Sequence, residues 1–283
     1  MKKIVVGIVL YNSKISMVER VIAKLSSVAS GIVLVDNNSG NVKEVEELRS
    51  EKVTLIENKK NLGVAKALNE ILEYANKMGA DCVLTLDQDS VLEAKDVEEM
   101  IKYVSDDVAI VCPMMVDINK DEQKKYRHKV DFVDRCITSG SLMNLKTCNK
   151  VGKFDDSMFI DYVDFEYCKR IRLAGYKIVR LNYIKLVHEI GKRTNRRFLW
   201  IKVYPTNHNP RRIYFYVRNI YYYLWKFRKE LTFKERVKER ILLFWKYLSI
   251  ILYEDNKGEK LKSYREGKRD GKNGLRMVEY ADF

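Results

Sequence analysis

Within the first 110 residues, apolar runs of strand length end four times in a short polar loop rich in Asn and Asp, and helical spacing follows several of them. The runs are residues 4–10, Ile32 to Val35, Val53 to Ile56 and Cys82 to Leu86; their loops read YNS, DNNSG, ENKKNLG and DQDS. Helical stripes follow at Val18, Val21, Ile22 and Leu25, at Val64, Ala67, Leu68, Ile71, Leu72 and Ala75 (closed near Gly79), and at Val97, Met100, Ile101 and Val104. Such alternation predicts an α/β fold with a mostly parallel sheet and helices on both faces. Ligands then belong at the carboxyl ends of the strands, where these polar loops lie.

After residue 110 the pattern loosens. A strand is expected over Thr138 to Asn144, a helix from Asp161 to Ala174 stopped by Gly175, and strands over Ile178 to Leu181 and Lys185 to His188. From residue 192 the chain turns basic, aromatic and helical. We therefore expect a catalytic domain over 1–191, its halves meeting near residue 110 (1–110 and 111–191), and a helical C-terminal appendage over 192–283.

The net charge of +14 is concentrated in that appendage: residues 192–250 carry sixteen Lys or Arg against three Asp or Glu. A surface of this kind attracts phosphate, whether on nucleic acid, anionic lipid or a substrate. Five separated cysteines without a C-x-x-C pair fit a reducing compartment. The opening MKKIVVGIVLY has the order of a signal sequence, but its apolar run is short and no small-residue cleavage site closes it. The reading is a buried first strand in a cytoplasmic protein. The longest apolar candidate, Ile241 to Tyr253, contains Lys246 and falls short of the roughly 18 residues needed to span a bilayer, so it could lie on a membrane but not cross one.

Asp87-Gln88-Asp89 follows an apolar strand and would present two hard carboxylate ligands at the sheet's rim, suited to Mg2+ or Mn2+ on a diphosphate. A solvated acidic turn has the same pattern. Asp36 ends the second strand, where an acid can bind a ribose or base, or cap the next helix. Asn61-Leu62-Gly63 opens a long helix whose free amides favour anions, and it also reads as turn chemistry. His188 ends an apolar strand and is either a metal ligand or a hydrogen-bonded structural residue. Ser139-Gly140-Ser141 would allow close backbone approach to a ligand, or simply kink a strand.

Taken in order, VLYN, VDNNS, NLGVAKALN, LTLDQDS, FIDYVDFEYCKR and LVHEIG resemble glycosyltransferase family 2 with its GT-A fold, and within it the bacterial rhamnosyltransferases of surface polysaccharide synthesis. The likeness runs from about residue 4 to residue 191. It implies an inverting, metal-dependent transfer of a sugar from a nucleotide-diphosphate donor (dTDP or UDP) to a glycan or lipid-linked acceptor.

By this resemblance Tyr11, Asn12, Asp36, Asn38, Asn61, Gly63, Asp87, Gln88 and Asp89 line the nucleotide-sugar pocket, with Ser139 and Gly140 as a wall of the sugar site. Asp87, Asp89 and His188 would hold the Mn2+ or Mg2+ ion. Asp164 would be the general base, with Asp161 and Glu166 as substitutes. Arg218, within FYVRN, would face the donor phosphates or the acceptor. Gly152-Lys153-Phe154-Asp155 departs from the family's G-G-F, which leaves the acceptor side open. dTDP-rhamnose is the favoured donor, and a UDP-hexose or UDP-galactofuranose the alternative.

All three tryptophans lie between Phe198 and Tyr253 among Lys and Arg, as an interfacial helix requires, which points to an anionic membrane surface and a peripheral location at its inner face. The same aromatics could instead pack internally or form a homodimer through the C-terminal helices. A dehydrogenase would need G-x-G-x-x-G where this chain has YNS, and a nucleotidyltransferase a Gly-rich Arg-Lys loop. A basic nucleic-acid-binding or membrane-binding protein leaves the ordered acidic loops unexplained, so no nucleic acid partner is expected.

Overall fold

The computed structural model describes residues 2–117, 128–188, 196–198, 201–203 and 205–274. It has the elements β1 (Ile4–Leu10), α1 (Ile15–Leu25), β2 (Gly31–Asp36), α2 (Val42–Glu46), β3 (Val53–Glu57), α3 (Val64–Lys77), β4 (Cys82–Asp87), α4 (Ala94–Ile101), β5 (Val108–Asp117), β6 (Val130–Phe132) and β7 (Ser141–Asn144). These are followed by α5 (Leu145–Val151), α6 (Val163–Leu173), β8 (Lys177–His188), β9 (Arg196–Phe198), β10 (Ile201–Val203), α7 (Pro210–Lys226), α8 (Phe233–Tyr253) and α9 (Lys257–Lys272). By contacts the described residues divide into one unit made of those within 2–156 and 163–188 and another made of 157–162 and those within 196–274. The division expected at 191/192 falls outside the described residues.

The first unit carries an eight-stranded sheet in the order β3-β2-β1-β4-β7-β5-β8-β6. β3, β2, β1 and β4 run parallel, as their continuous Val/Ile/Leu runs require of strands covered on both faces. Ile4, Val6, Ile8 and Leu10 of β1 enter a core with Val18, Val21 and Leu25 of α1 and Val97 and Met100 of α4. The opposite face meets α3 at Gly7, where a Cβ would stand 2.2 Å from Ile71 Cγ2, so the helix rests directly on the strand backbone. Strand order reverses beside β1, with β2 on one side and β4 on the other, and this switch point opens a crevice at the strands' carboxyl ends.

The second half of the sheet departs from expectation in three places. β7 covers only Ser141–Asn144 and lies antiparallel between β4 and β5, because residues 138–140 turn away to cap β4. The two strands expected around residues 178–188 are one, β8, interrupted by a register shift opposite Pro113/Met114. β5 was not expected as a long strand: Pro113 breaks the usual ladder, and the structure places it at that irregularity.

In the second unit β9 and β10 pair antiparallel, and α7, α8 and α9 pack together. α7 starts behind the Asn209 side chain, which accepts from Arg212 N, with Pro210 in the first turn. α8 starts with a capping box between Thr232 and Glu235. Gly267 and Gly271 of α9 allow helix contact: a Cβ at Gly271 would stand 2.2 Å from the Arg218 carbonyl oxygen of α7. Among the described residues no helix is long and apolar enough to cross a membrane.

Candidate active site

The crevice at the switch point is lined by the loops after β1, β2 and β4. Register sets Leu10 beside Asp36 and Val9 beside Asp87, so the two acids end the strands on either side of β1 at one rim. Gln88, between the two acids of the D-x-D triplet, has its carboxamide oxygen fixed by Tyr11 N at 2.9 Å and Ser13 Oγ at 2.7 Å. Its side chain staples the β4 loop to the β1 loop. Asp87 is half-buried and Asp89 exposed, while the turn closes with Ser90 N donating to Asp87 O at 3.1 Å.

Asp36 is buried, and both its carboxylate oxygens accept from Ser39: Oδ2 from the amide at 2.8 Å and Oδ1 from the hydroxyl. Ser39 Oγ in turn accepts from Asn12 N at 2.8 Å, and Asn12 Oδ1 accepts from Gly40 N at 2.9 Å. This network holds Asn12 and Asn38 at φ of 50° and 67°, a left-handed backbone that Asn tolerates better than most residues. Asp36 thus closes a turn with Ser39 and does not cap α2, which starts behind Asn41, and Ser39 and Ser13 line the candidate site although sequence reasoning passed over them. The available signal was D-x-x-S, an acid three residues before a hydroxyl.

Two further segments frame the crevice. Asn61 Oδ1 accepts from Gly63 N at 3.0 Å, and Gly63 stands at φ 83° immediately before α3. Asp87 N donates to Ser139 Oγ at 3.0 Å, and Gly140 N donates to Thr85 O at 2.8 Å. Gly140 has φ +77°, and a Cβ there would come within 3.0 Å of Leu186 and Pro113 side chains, so this position excludes other residues on both counts. The Ser139-Gly140-Ser141 turn is therefore anchored to the strand that presents the D-x-D acids.

Of the acids at 161–166, the structure separates three environments. α6 begins at Val163, not Asp161: Asp161 and Tyr162 lie at φ 63° and 65°, outside helical geometry, so the expected single helical turn from Asp161 to Asp164 does not form. In the second unit Asp161 pairs with Arg212, whose nitrogens lie 3.2 and 3.3 Å from its carboxylate oxygens. Glu166 is fully buried and makes a bidentate pair with Arg170 at 2.7 and 2.9 Å. Asp164, in the first turn of α6, accepts from Phe165 N at 2.8 Å and lines a small cleft of about 10 Å³ with Ile137, Thr138, Ser141, Cys136 and Cys168. Thr138 and Ser141 belong to the same turn that holds the amide of Asp87. Cys136 and Cys168 are free thiols, 3.7 Å apart. Hydrogen bonding to Cys136, with burial, pushes the Cys168 thiol well above its ordinary range, which keeps it protonated and chemically quiet.

His188 ends β8 opposite Asp117, but its side chain lies outside the described residues. Among the described residues no three His, Cys, Asp or Glu side chains converge on a metal position. Two carboxylates beside an open crevice nevertheless fit a hard divalent ion that completes its shell with diphosphate oxygens and water, the usual manner of Mg2+ binding. Arg218, expected to face donor or acceptor, is 2% exposed in the interior of the second unit. It donates to Ser157 O at 2.6 Å and Asn219 Oδ1 at 3.0 Å and stacks over Phe215, so its fork is turned to the backbone and to a ring. Asn219 Nδ2 meets the carbonyls of Met158, Ile160 and Asp161 at 2.6, 2.7 and 2.8 Å, clamping the irregular segment 157–162.

Comparison with known proteins adds independent information. The profile of Glycosyl transferase family 2 matches residues 5–162. A dTDP-rhamnosyl transferase of Shigella flexneri, RfbF, is 28% identical over 288 residues, covering 95% of both chains. Among solved structures, S. aureus TarS 1-349 in complex with UDP-GlcNAc superposes with a TM-score of 0.56 at 14% identity, covering 99% of this chain and 95% of its own. GalNAc-T7 with UDP, GalNAc and Mn2+ gives a TM-score of 0.57 at 14% identity over 85% of this chain, which spans 55% of that larger protein. These two structural likenesses speak for the fold.

Proposed function

This chain belongs to glycosyl transferase family 2, and on that premise we propose that it transfers L-rhamnose from dTDP-rhamnose to a hydroxyl of a lipid-linked or cell-surface polysaccharide intermediate, with inversion at the anomeric carbon. The donor assignment is supported by the dTDP-rhamnosyl transferase similar along nearly the whole chain. The observation that carries the reaction is the convergence, at one sheet edge, of the Asp36 loop and the Asp87-Gln88-Asp89 turn, tied by Ser139 to the turn that borders the Asp164 cleft.

In this reading Asp164 takes the proton of the acceptor hydroxyl as its oxygen bonds to the anomeric carbon, and the bond from that carbon to the diphosphate oxygen breaks. The Asp36 loop and Asn61-Gly63 cradle the nucleoside and phosphates, and the Ser139-Gly140 wall sets the sugar's position. Asp87 and Asp89, with His188, would hold a Mn2+ or Mg2+ ion, whose charge supports the departing diphosphate. Gln88 keeps the turn in place by bonding the β1 loop.

The test is a release assay of nucleoside diphosphate across dTDP-rhamnose, UDP-galactofuranose and UDP-hexoses, with Mn2+ or with a chelator. dTDP-rhamnose should be turned over at least tenfold faster than the others, and the chelator should stop the reaction. Turnover of a UDP-sugar with none of dTDP-rhamnose would replace the donor, and unchanged turnover in chelator would remove the metal.

A further inference from the structure

Helix α8 has two apolar sides. Leu243 and Ile250 are buried within the second unit, as is the carboxylate-bearing Glu239. On the other side Phe233 is 81%, Ile241 48%, Phe244 56% and Leu252 42% exposed. With 3.6 residues per turn, Phe233, Val237, Ile241, Phe244, Leu248 and Leu252 form one stripe, which at 1.5 Å per residue runs about 28 Å along the helix. A stripe this long on an outer face is more than scattered surface hydrophobicity.

Its borders are cationic. Lys234, Arg236, Lys238 and Arg240 are all exposed, while the two acids of α8 are withdrawn, Glu239 buried and Glu235 bound into the capping box at Thr232. Phe233, Lys234, Val237, Lys238, Ile241 and Leu242 together line a shallow groove, so ammonium groups flank the apolar floor. Long basic stems can lie along such a floor and extend their charges to phosphate, whereas a dimer interface of two copies would set these cations against each other.

We infer that the outer face of α8 is a docking surface for an anionic lipid bilayer, with the helix lying in the headgroup region parallel to the membrane plane. Rings and aliphatic side chains enter the acyl boundary, and Lys234, Lys238 and Arg240 meet lipid phosphates, while the Arg236 guanidinium donates to the Leu231 and Arg228 carbonyls. The surface goes beyond the proposed reaction and stands without it, since no donor-site residue lies on this helix.

Sedimentation of the full chain with vesicles of about a third phosphatidylglycerol in phosphatidylethanolamine, against pure phosphatidylcholine, tests it. Binding to the anionic vesicles should be at least tenfold stronger and weaken with salt. Ile241→Ser with Phe244→Ser should lower it at least tenfold; Lys234→Glu with Lys238→Glu should abolish the anionic preference. Circular dichroism should show both double variants folded, and nucleoside-diphosphate binding, measured separately by calorimetry, should not change. The inference is overturned if wild type ignores the anionic vesicles or if the Ser variant binds them equally well. A two-chain mass in light scattering that the Ser variant reduces to one chain would also overturn it, giving the face to a second copy.

Discussion

The carboxamide oxygen of Gln88 accepts the backbone amide of Tyr11 at 2.9 Å, a bond that joins the loops of the two strands flanking the sheet's switch point. The Ser13 hydroxyl reinforces it from the same loop at 2.7 Å. Gln88→Ala removes both acceptor contacts and frees the turn carrying Asp87 and Asp89. Each lost hydrogen bond is worth about 1 kcal/mol, so affinity for nucleoside diphosphate with Mn2+ should drop by up to about thirtyfold in calorimetry. Unchanged affinity would mean that the turn holds its shape without the staple.

Asp164 and Glu166 should fail in different ways. Asp164→Asn should lower kcat by about a hundredfold or more with the melting temperature and donor binding intact. Glu166→Gln leaves the Arg170 guanidinium without its carboxylate partner and should cost about 3 kcal/mol of stability, read from urea unfolding. Near-normal turnover by Asp164→Asn would withdraw it as the base.

Asn219 holds three consecutive-neighbourhood carbonyls in a stretch where Phe159, Asp161 and Tyr162 all have positive φ. Such backbone conformations cost energy and persist only when surrounding bonds enforce them. Asn219→Ala should therefore destabilise the protein by about 3 kcal/mol, with protease cleavage appearing first within residues 157–162. A midpoint within error of wild type would show that the segment is held by other means.

His208 gives a pH signature. Burial, with help from the Arg212 and Lys246 cations, pushes its imidazole down to about 4. The unfolded chain protonates this group near the ordinary 6.5 of imidazole, whereas the folded protein does so only near 4. Between those values the unfolded state binds the extra proton, so stability falls as pH is lowered through the window and does not change above it. The urea midpoint of wild type should fall as pH is lowered through that window while that of His208→Gln falls less steeply, and an identical slope in the variant would refute the assignment.

The legible part of the molecule was the part with local rules. β1 through β4 are continuous apolar runs between polar loops, so their ends, and hence Asp36 and Asp87 at the rim, could be read from pattern alone. β5 was lost because Pro113 signals a break, and only pairing with β8 around an irregular register accommodates it. Asp161 looked like a helix start because acids favour first turns. What overrides that preference is the pairing of Arg212 and the clamp of Asn219, side chains more than fifty residues away that no local pattern encodes. Arg218 was read as a ligand contact from its motif, whereas its burial depends on how α7 meets α9 at Gly267 and Gly271.

The late insertion of β7 between β4 and β5 has a consequence for biosynthesis. A chain leaving the ribosome can complete β3-β2-β1-β4 once β4 is out, but the outer side of β4 stays an open hydrogen-bonding edge until Ser141–Asn144 emerge. At about 5–20 residues per second, that interval lasts roughly 3–10 s, long enough for chaperones or neighbouring nascent chains to engage it. Chains stalled just before residue 141 should be aggregation-prone, and those extended past residue 188 should not; equal solubility of the two would show that the edge is shielded during synthesis.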